Sequence, residues 1–444
     1  KDLIAGMRPF LMDERPVILA VSHVGGGGTE RHVRDMAARL VQENVRTIYA
    51  RPNLHGRLVF EERDANWNVR WRRAVGANSD KIAELLNRLK PNLAHIHHTM
   101  GVPERLFQEL CKLEVPTDWT LHDYHCICPR IHLHDERGQY CNEPDTDACN
   151  RCLRQRGDYH ERSVAVQIEK YREDWAGRLA TARRIYVPSD DTNRRISRHF
   201  QHLRIETRPH MEPSWPEHAA AVPHVPGEPV RVAVIGSIGP IKGAYPLLDA
   251  ARDAAQRNLP IEFVLVGTSS LEPQLLATGR VELTGPYYEH EIWDRLQGLS
   301  CHLAWLPSIW PETYMYTLSI AQMSSLWPVV YDLGAQAERI LESGIGDSIS
   351  LETPPDQMND LFLKRACQLA TQPLPQPLQY AQYPNFLEDY YGLTWQQLKL
   401  LGVQAMNEIP YEQNVGPFSH KPPQPHASRS DHARLHQHHS QLSS

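Results

Sequence analysis

The sequence lacks any apolar run of the roughly 20 residues that would cross a bilayer. It also lacks a basic excess, because 47 Lys and Arg against 53 Asp and Glu give a formal net charge of -6. Nucleic acid is therefore not an expected partner. No secretion signal stands at Lys1, which predicts a cytoplasmic protein with reduced thiols. The 444 residues, of which 41% are hydrophobic and 23% charged, suffice for two globular domains.

Two series of strand and helix patterns follow each other along the chain. The first begins with a continuous apolar run at 17–21 and the second with a run at 230–235, and each run leads into glycine. Short apolar runs then alternate with segments of helical period, which is typical of parallel α/β units. We therefore predict an α/β fold with two Rossmann-like parallel-sheet domains. The predicted boundaries are 1–210 for the N-terminal domain, with a cysteine-rich insert at 124–160, then 211–228 for a linker, 229–385 for the C-terminal domain, 386–409 for a helical segment and 410–444 for a disordered tail.

A glycine-rich turn follows the first strand of each series. Glycines allow positive φ and close approach of a ligand, and the next helix supplies N–H donors. A dinucleotide fingerprint would place its third glycine at Glu30, so an oxidoreductase is disfavoured. In the second turn Lys242 is well placed to pair with phosphate oxygens, although a plain turn and a solvated lysine remain the alternatives. The candidate loop residues are Gly26, Gly27, Gly28, Thr29 and Glu30 in the first turn and Gly236, Gly239 and Gly243 in the second.

A third candidate is the Pro-Glu turn at Glu312, which lies between two apolar runs and opens a predicted helix. The N-terminus of a helix suits an anionic ligand, whereas the carboxylate repels phosphate and suits sugar hydroxyls. A sugar nucleotide has both parts. The residues that would contact such a ligand next to Glu312 are Thr313, Tyr314, Tyr316 and Thr317. The alternative is an acid at a helix start that the helix dipole favours.

His122, beside Asp123, ends a predicted strand of the first series. Ligands of open α/β sheets bind outside the carboxyl ends of the strands, so His122 is a candidate to contact a hydroxyl or to stabilise positive charge. His97 and His98 end the preceding strand in the same way. A structural role for each histidine is the alternative.

Five cysteines lie in the insert, and two of them have the Cys-x-x-Cys spacing of a zinc knuckle. We predict a structural zinc on four of them, with Cys126 as the spare. A metal would hold a loop-rich segment that has little core of its own, and a cysteine-rich site closes its coordination shell, so a catalytic zinc is not expected. Disulfides and free thiols stay open as alternatives. The predicted ligands are Cys128, Cys141, Cys149 and Cys152.

The segment at Glu312 resembles the donor-binding signature of glycosyltransferase family 4, in which a second Glu follows the first after seven residues. Here that second position is Ile320. The glycine loop, Lys242 with its glycines, and His122 resemble other positions of the same family, and the resemblance spans roughly 16–400. It implies a GT-B fold, in which two Rossmann-like domains face a cleft, with the acceptor on the N-terminal side and the donor on the C-terminal side.

The resemblance further implies a retaining, metal-independent hexosyl transfer from a nucleotide sugar, closest to bacterial enzymes of surface polysaccharide synthesis. Glu312 and His122 would contact the donor sugar, and Lys242 would contact the diphosphate. The acceptor would be a glycan or a lipid-linked saccharide, and a lipid-linked acceptor would bring the chain to the inner membrane face as a peripheral protein. The chain would also be one part of a larger multidomain glycosyltransferase.

Two rival interpretations stay open. The arginine that many family members carry after the first glycine of the second loop is absent, since Ser237 and Ile238 stand there, and Ile320 cannot bind ribose hydroxyls as the second Glu would. One rival is therefore a weakened or inactive GT-B protein that binds a nucleotide sugar or glycan. The other is a nucleotide-sugar epimerase of related architecture. From the sequence alone, an Ile320→Glu substitution is expected to raise donor affinity.

Overall fold

The computed structural model describes residues 13–23, 25–135, 137–212, 221–371, 380 and 382–401. These residues all belong to one compact unit. The predicted tail at 410–444 lies outside them, as do 213–220 of the predicted linker and 402–409 of the predicted helical segment.

The first half of the chain builds a sheet of eight strands, whose order is β4-β3-β2-β1-β5-β6-β7-β8. The pairs β2–β3 and β3–β4 are antiparallel and the others parallel. All five residues of the first strand are buried, as expected for a parallel strand that is covered on both faces. The strands are β1 (Val17–Val21), β2 (Arg46–Pro52), β3 (Arg57–Arg63), β4 (Val69–Gly76), β5 (Leu93–Ile96), β6 (Thr117–Thr120), β7 (Arg184–Val187) and β8 (Ile205–Thr207).

Six helices connect these strands. The fourth lies in the cysteine-rich insert, and the Asp145 side chain caps it by accepting a hydrogen bond from the Ala148 N–H at 2.8 Å. The helices are α1 (Gly27–Gln42), α2 (Lys81–Leu89), α3 (Glu104–Lys112), α4 (Thr146–Arg156), α5 (Ile168–Ala180) and α6 (Asp190–Ser197).

The second half builds a six-stranded sheet of order β11-β10-β9-β12-β13-β14, in which every pair is parallel. Its strands are β9 (Val230–Ile238), β10 (Ile261–Ser269), β11 (Val281–Leu283), β12 (Leu303–Leu306), β13 (Trp327–Tyr331) and β14 (Asp347–Ile349). Its helices are α7 (Ala244–Gln256), α8 (Glu272–Ala277), α9 (Ile292–Gly298), α10 (Tyr316–Met323), α11 (Gly334–Ser343) and α12 (Pro355–Leu369), with 3-10 turns at Pro240–Lys242 and Glu289–Glu291.

The chain then returns to the first half through α13 (Phe386–Tyr391) and α14 (Trp395–Leu400). Tyr390 and Tyr391 are fully buried in an apolar cluster with Ile18 of β1 and Met36 of α1. The Tyr391 hydroxyl also bonds His95 Nδ1 at 2.8 Å. The predicted C-terminal helical segment is therefore anchored on the first sheet.

Each sheet has a point where the strand order reverses direction, at β1 in the first and at β9 in the second. Loops diverge at such a point and leave a crevice at the carboxyl ends of the strands. The predicted fold class, two Rossmann-like parallel-sheet halves that face a cleft, is confirmed. Within the described ranges, no helix has both the length and the apolar character needed to cross a bilayer.

Candidate active-site cleft

A cavity of about 840 Å³ lies between the two halves. The first half contributes part of the glycine-rich loop and the end of β6, and the second contributes the segment before α10. The predicted site residues among its lining are Gly26, Gly28, Thr29, His122, Lys242, Glu312, Thr313, Tyr314, Tyr316 and Thr317. The other predicted residues do not line the cavity: Gly27 and Glu30 lie in the first turn of α1, Gly236 lies in β9, and Gly239 and Gly243 flank the 3-10 turn Pro240–Lys242. Gly236 lies close behind it, because a Cβ there would stand 3.5 Å from Thr317 Cγ2.

Glu312 and Lys242 form an ion pair at the base of the cavity, between Nζ and Oε1. Two further donors reach the same oxygen, the Ser308 hydroxyl at 2.7 Å and Trp310 Nε1 at 2.9 Å. Glu312 is 5% exposed. In the described part of the chain no donor reaches Oε2, so this oxygen remains available to accept a hydrogen bond from a ligand hydroxyl. The Lys242 side chain, at 40% relative exposure, keeps N–H groups free for an anion.

The backbone around this pair differs in two details from the sequence prediction. Glu312 does not open a helix, because α10 begins four residues later at Tyr316 and Glu312 lies in the preceding loop. Lys242 ends a 3-10 turn and α7 begins at Ala244. Between them Gly243 has φ 89, and a Cβ there would overlap the Pro307 carbonyl oxygen. Only glycine allows the two loops to approach so closely.

The side chain of Gln336 fixes the Glu312 loop from behind. Its Oε1 accepts a hydrogen bond from the Glu312 N–H at 3.1 Å, and its Nε2 donates to the Trp310 carbonyl at 3.1 Å. Arg339 on the same helix donates to the carbonyls of Tyr314 and Met315 at 2.7 and 3.0 Å. These contacts from α11 hold the turn that precedes α10.

The ends of the neighbouring strands β5 and β6 form two side-chain pairs. His97 Nδ1 lies 3.0 Å from His122 Nε2, and His98 Nε2 lies 3.0 Å from Asp123 Oδ2. His98 Nδ1 accepts from the Met100 N–H at 2.9 Å, so Nε2 carries the proton that Asp123 accepts. Burial would raise the pKa of Asp123, but His98, by charge and hydrogen bond, and His125 hold it well below its usual value. Burial lowers the pKa of His122 far enough to keep its imidazole neutral.

Two residues of the predicted donor segment link the halves across the cavity. Thr313 Oγ1 donates to the His122 carbonyl at 2.6 Å, and the Tyr314 hydroxyl donates to the His210 carbonyl at 3.0 Å. Both side chains are thus engaged with the protein itself. The Tyr316 hydroxyl, in contrast, is buried and has no hydrogen-bond partner among the described residues, which leaves it free for a ligand.

A second set of contacts across the cleft, made by Arg31, was not identified from the sequence. Arg31, next to the glycine-rich loop, contacts Glu212 at 3.0 Å and Glu289 at 2.7 Å. Its guanidinium also lies 4.1 Å from the centre of the Tyr316 ring. Charged residues far apart in sequence give no pairing signal of their own, so only the Arg beside the loop could have been suspected.

The cysteine-rich insert also reaches the cleft, since Ile131 and His132 line the cavity. The four predicted ligands are partly buried, and Cys126 is buried. Burial raises the pKa of the Cys128 thiol to about 12. In the described ranges, ligand atoms within 4.8 Å of one another are grouped in threes only at His32, His97 and His122, so no three of the four cysteine sulfurs lie that close together.

Comparison with solved structures establishes the fold class. Sucrose-phosphate synthase from Thermosynechococcus elongatus superposes with a TM-score of 0.54 and 13% identity, over 88% of this chain and 98% of that one. HepE from Anabaena, in complex with UDP, superposes with a TM-score of 0.50 and 13% identity, over 88% of this chain and 95% of that one. The pneumococcal O-GlcNAc transferase GtfA, in complex with UDP and GlcNAc, superposes with a TM-score of 0.50 and 10% identity, over 88% of this chain and 95% of that one.

These similarities define a protein of the GT-B fold, as predicted. No protein-family model matches the chain, and no curated protein sequence matches it significantly. The low identities leave the activity to be argued from the site.

Proposed function

We propose that the protein is a glycosyltransferase that moves a sugar from a nucleotide-sugar donor to a glycan or lipid-linked acceptor. The observation that carries the proposal is the Glu312–Lys242 pair at the base of the cavity between the two halves. A carboxylate oxygen for hydroxyls and an ammonium for phosphate stand side by side there, beside the N-terminus of α10. This combination matches the two parts of a nucleotide sugar.

In the proposed reaction Lys242 and the first N–H groups of α10 stabilise the departing diphosphate. Glu312 positions the donor sugar through Oε2, and His122 faces the same cavity from the first half. A retaining transfer would pass through a transition state like an oxocarbenium ion. Most of the catalysis would then come from leaving-group stabilisation and from holding the acceptor in place. We assign no catalytic metal to these steps.

The acceptor is proposed to enter along the glycine-rich loop, Gly26 to Glu30, and the product to be a surface polysaccharide. A lipid-linked acceptor would bring the chain from the cytoplasm to the inner membrane face. We further propose that the chain works as one part of a larger multidomain glycosyltransferase. The donor is proposed to contact the loops that hold Gly236 and Thr317, which abut each other.

A thermal-shift screen with nucleotide sugars of several bases tests donor binding first, because a ligand that binds the folded state stabilises it by mass action. Nucleotide release in the presence of candidate acceptors then tests transfer. Glu312→Gln and Lys242→Met should each lower kcat by roughly 100-fold or more, as expected for lost transition-state stabilisation. The matched controls are Lys170→Met and Glu173→Gln, which break an exposed ion pair on α5 and should leave kcat unchanged.

Two results would contradict the proposal and support a rival. Tight donor binding with no turnover for any acceptor would indicate a protein that only binds nucleotide sugars or glycans. A converted donor sugar without an acceptor product would indicate an epimerase.

We also propose a structural zinc on Cys128, Cys141, Cys149 and Cys152. The four thiols lie in one insert beside the buried Cys126, and a bound metal would displace their protons to solvent against the raised pKa of Cys128. The double variant Cys149→Ser, Cys152→Ser should lose one equivalent of zinc in elemental analysis. An unchanged metal content in this variant would refute the site.

A further inference from the structure

Three buried histidines from different elements of the first half converge next to the cleft. His32 lies in α1, His97 follows β5 and His122 follows β6, and one ring nitrogen of each lies within 4.8 Å of the others. Their exposures are 0%, 2% and 8%. His97 and His32 precede His122 by 25 and 90 positions in the chain, and the fold thus brings the three imidazoles together.

The hydrogen-bonding capacity of this group is not satisfied by the protein. His32 Nδ1 is buried and has no hydrogen-bond partner in the described part of the chain. Buried polar atoms without a partner are rare, and each one costs free energy unless something else contacts it. A neutral imidazole offers a lone pair on one ring nitrogen, as a metal ligand must.

The geometry is close to that of a metal site. His97 Nδ1 and His122 Nε2 are 3.0 Å apart. Two ligands of a tetrahedral ion with bonds of about 2.0 Å would be separated by roughly 3.3 Å, so little movement is needed to accommodate one. His32 Nε2 lies 3.4 Å from the Tyr390 hydroxyl, which suits the outer hydrogen bond of a ligand that binds through Nδ1.

We propose that His32, His97 and His122 bind a divalent transition-metal ion, with Zn²⁺ as the ion of choice. Imidazole is a preferred ligand of zinc, and three nitrogens leave one tetrahedral position for a further ligand. His210 is a further donor close by, with its ring centre 4.1 Å from that of His32 and an unpartnered, buried Nδ1.

Such an ion would cross-link α1 to the ends of β5 and β6 and would orient His122 at the cavity wall. The site does not depend on the proposed glycosyl transfer. It is also distinct from the cysteine cluster, because its ligands are nitrogen atoms only. The competing explanation is a chain of neutral imidazoles in which His97 and His122 share one hydrogen bond and no ion binds.

Cobalt substitution of the full-length protein tests the site with a spectroscopic readout. Co²⁺ on cysteine gives intense thiolate charge-transfer bands, whereas Co²⁺ on three histidines gives only ligand-field bands and a nitrogen shell in X-ray absorption. We expect the double cysteine variant Cys149→Ser, Cys152→Ser to retain one equivalent of nitrogen-bound metal. Adding His97→Ala to this variant should remove that equivalent.

The matched control is His224→Ala, a buried histidine outside the cluster, which should leave the metal content unchanged. If His97→Ala does not fold, His97→Gln in the same background provides the second test. Absence of a nitrogen shell in the folded cysteine variant, or equal cobalt content with and without the His97 substitution, would overturn the proposal.

Discussion

Replacing Ile320 by glutamate is the sharpest test of how the helix after Glu312 is used. The sequence resemblance places a ribose-binding carboxylate at this position, and from it alone the substitution should raise donor affinity. In the structure, however, Ile320 is 3% exposed and packs in an apolar cluster with Ile235, Val264 and Met323. A carboxylate there would enter the core of the second half. The structure therefore replaces the first expectation with a loss of stability.

The magnitude follows from the cost of burying a charge. Burial among apolar side chains raises the pKa of a glutamate by about two to three units, so the buried acid stays largely protonated near neutral pH. This pKa shift corresponds to a loss of about 3–4 kcal/mol in the free energy of unfolding at neutral pH. The unfolded chain ionises above about pH 4.3, while the folded chain does not. The destabilisation by Ile320→Glu should therefore be small at pH 4 and should grow as the pH rises toward 7.

Urea unfolding at pH 5 and pH 7.5 measures this effect, and a thermal-shift screen with nucleotide sugars measures binding. Ile320→Gln is the matched control, because it buries a polar group without a charge and its cost should not change with pH. Ile320→Leu keeps the volume and should cost less than about 1.5 kcal/mol. A stable Ile320→Glu protein with tighter donor binding would refute the reasoning, since the carboxylate would then have to reach the cavity.

Two further predictions concern backbone and buried histidines. Gly243→Ala should destabilise the protein by more than about 2 kcal/mol, because it adds a Cβ against the Pro307 carbonyl at a residue with positive φ. Gly239→Ala is the control and should cost little, since Gly239 has open space around it and a φ of -91. Thermal melts compare the two variants. Stability should fall as the pH drops from about 6.5 toward 4, since the unfolded histidines take up protons while His32, with a pKa of about 3, and His132, with a pKa of about 4, do not. Each adds a slope of up to about 1.4 kcal/mol per pH unit. A constant urea midpoint from pH 7.5 to 5 would contradict this.

The parallel core of both sheets could be predicted from the sequence because buried parallel strands are continuous apolar runs. The antiparallel strands β3 and β4 could not, since charged residues interrupt them. Glu61 in β3 is fully buried, yet it is paired with Arg51, Arg63 and Arg72. A sequence read one segment at a time assigns such a carboxylate to the surface, because two of the partners that neutralise it, Arg51 and Arg72, lie on other strands.

The candidate site was predictable to the extent that each of its residues stands at the end of a strand or in a glycine-rich turn. Lys242 and His122 do so, Glu312 follows Pro311 in the loop between β12 and α10, and all three line one cavity. Their pairing could not be predicted, because the sequence gives no distance between residues 70 positions apart. The same limit hid His32, which follows the glycine loop but meets His122 only through the packing of α1 on the sheet.

The polar contact on α10 belongs to Ser319, the residue before Ile320. Its hydroxyl donates to Glu212 and accepts from Arg339 Nη2 at 2.8 Å. Successive helical residues are about 100° apart, so this contact and the apolar packing of Ile320 lie on different faces. Glu212 also pairs with Arg31 of the first half at 3.0 Å. The Glu212 carboxylate is thus engaged by Arg31 and Ser319 and ties the halves together.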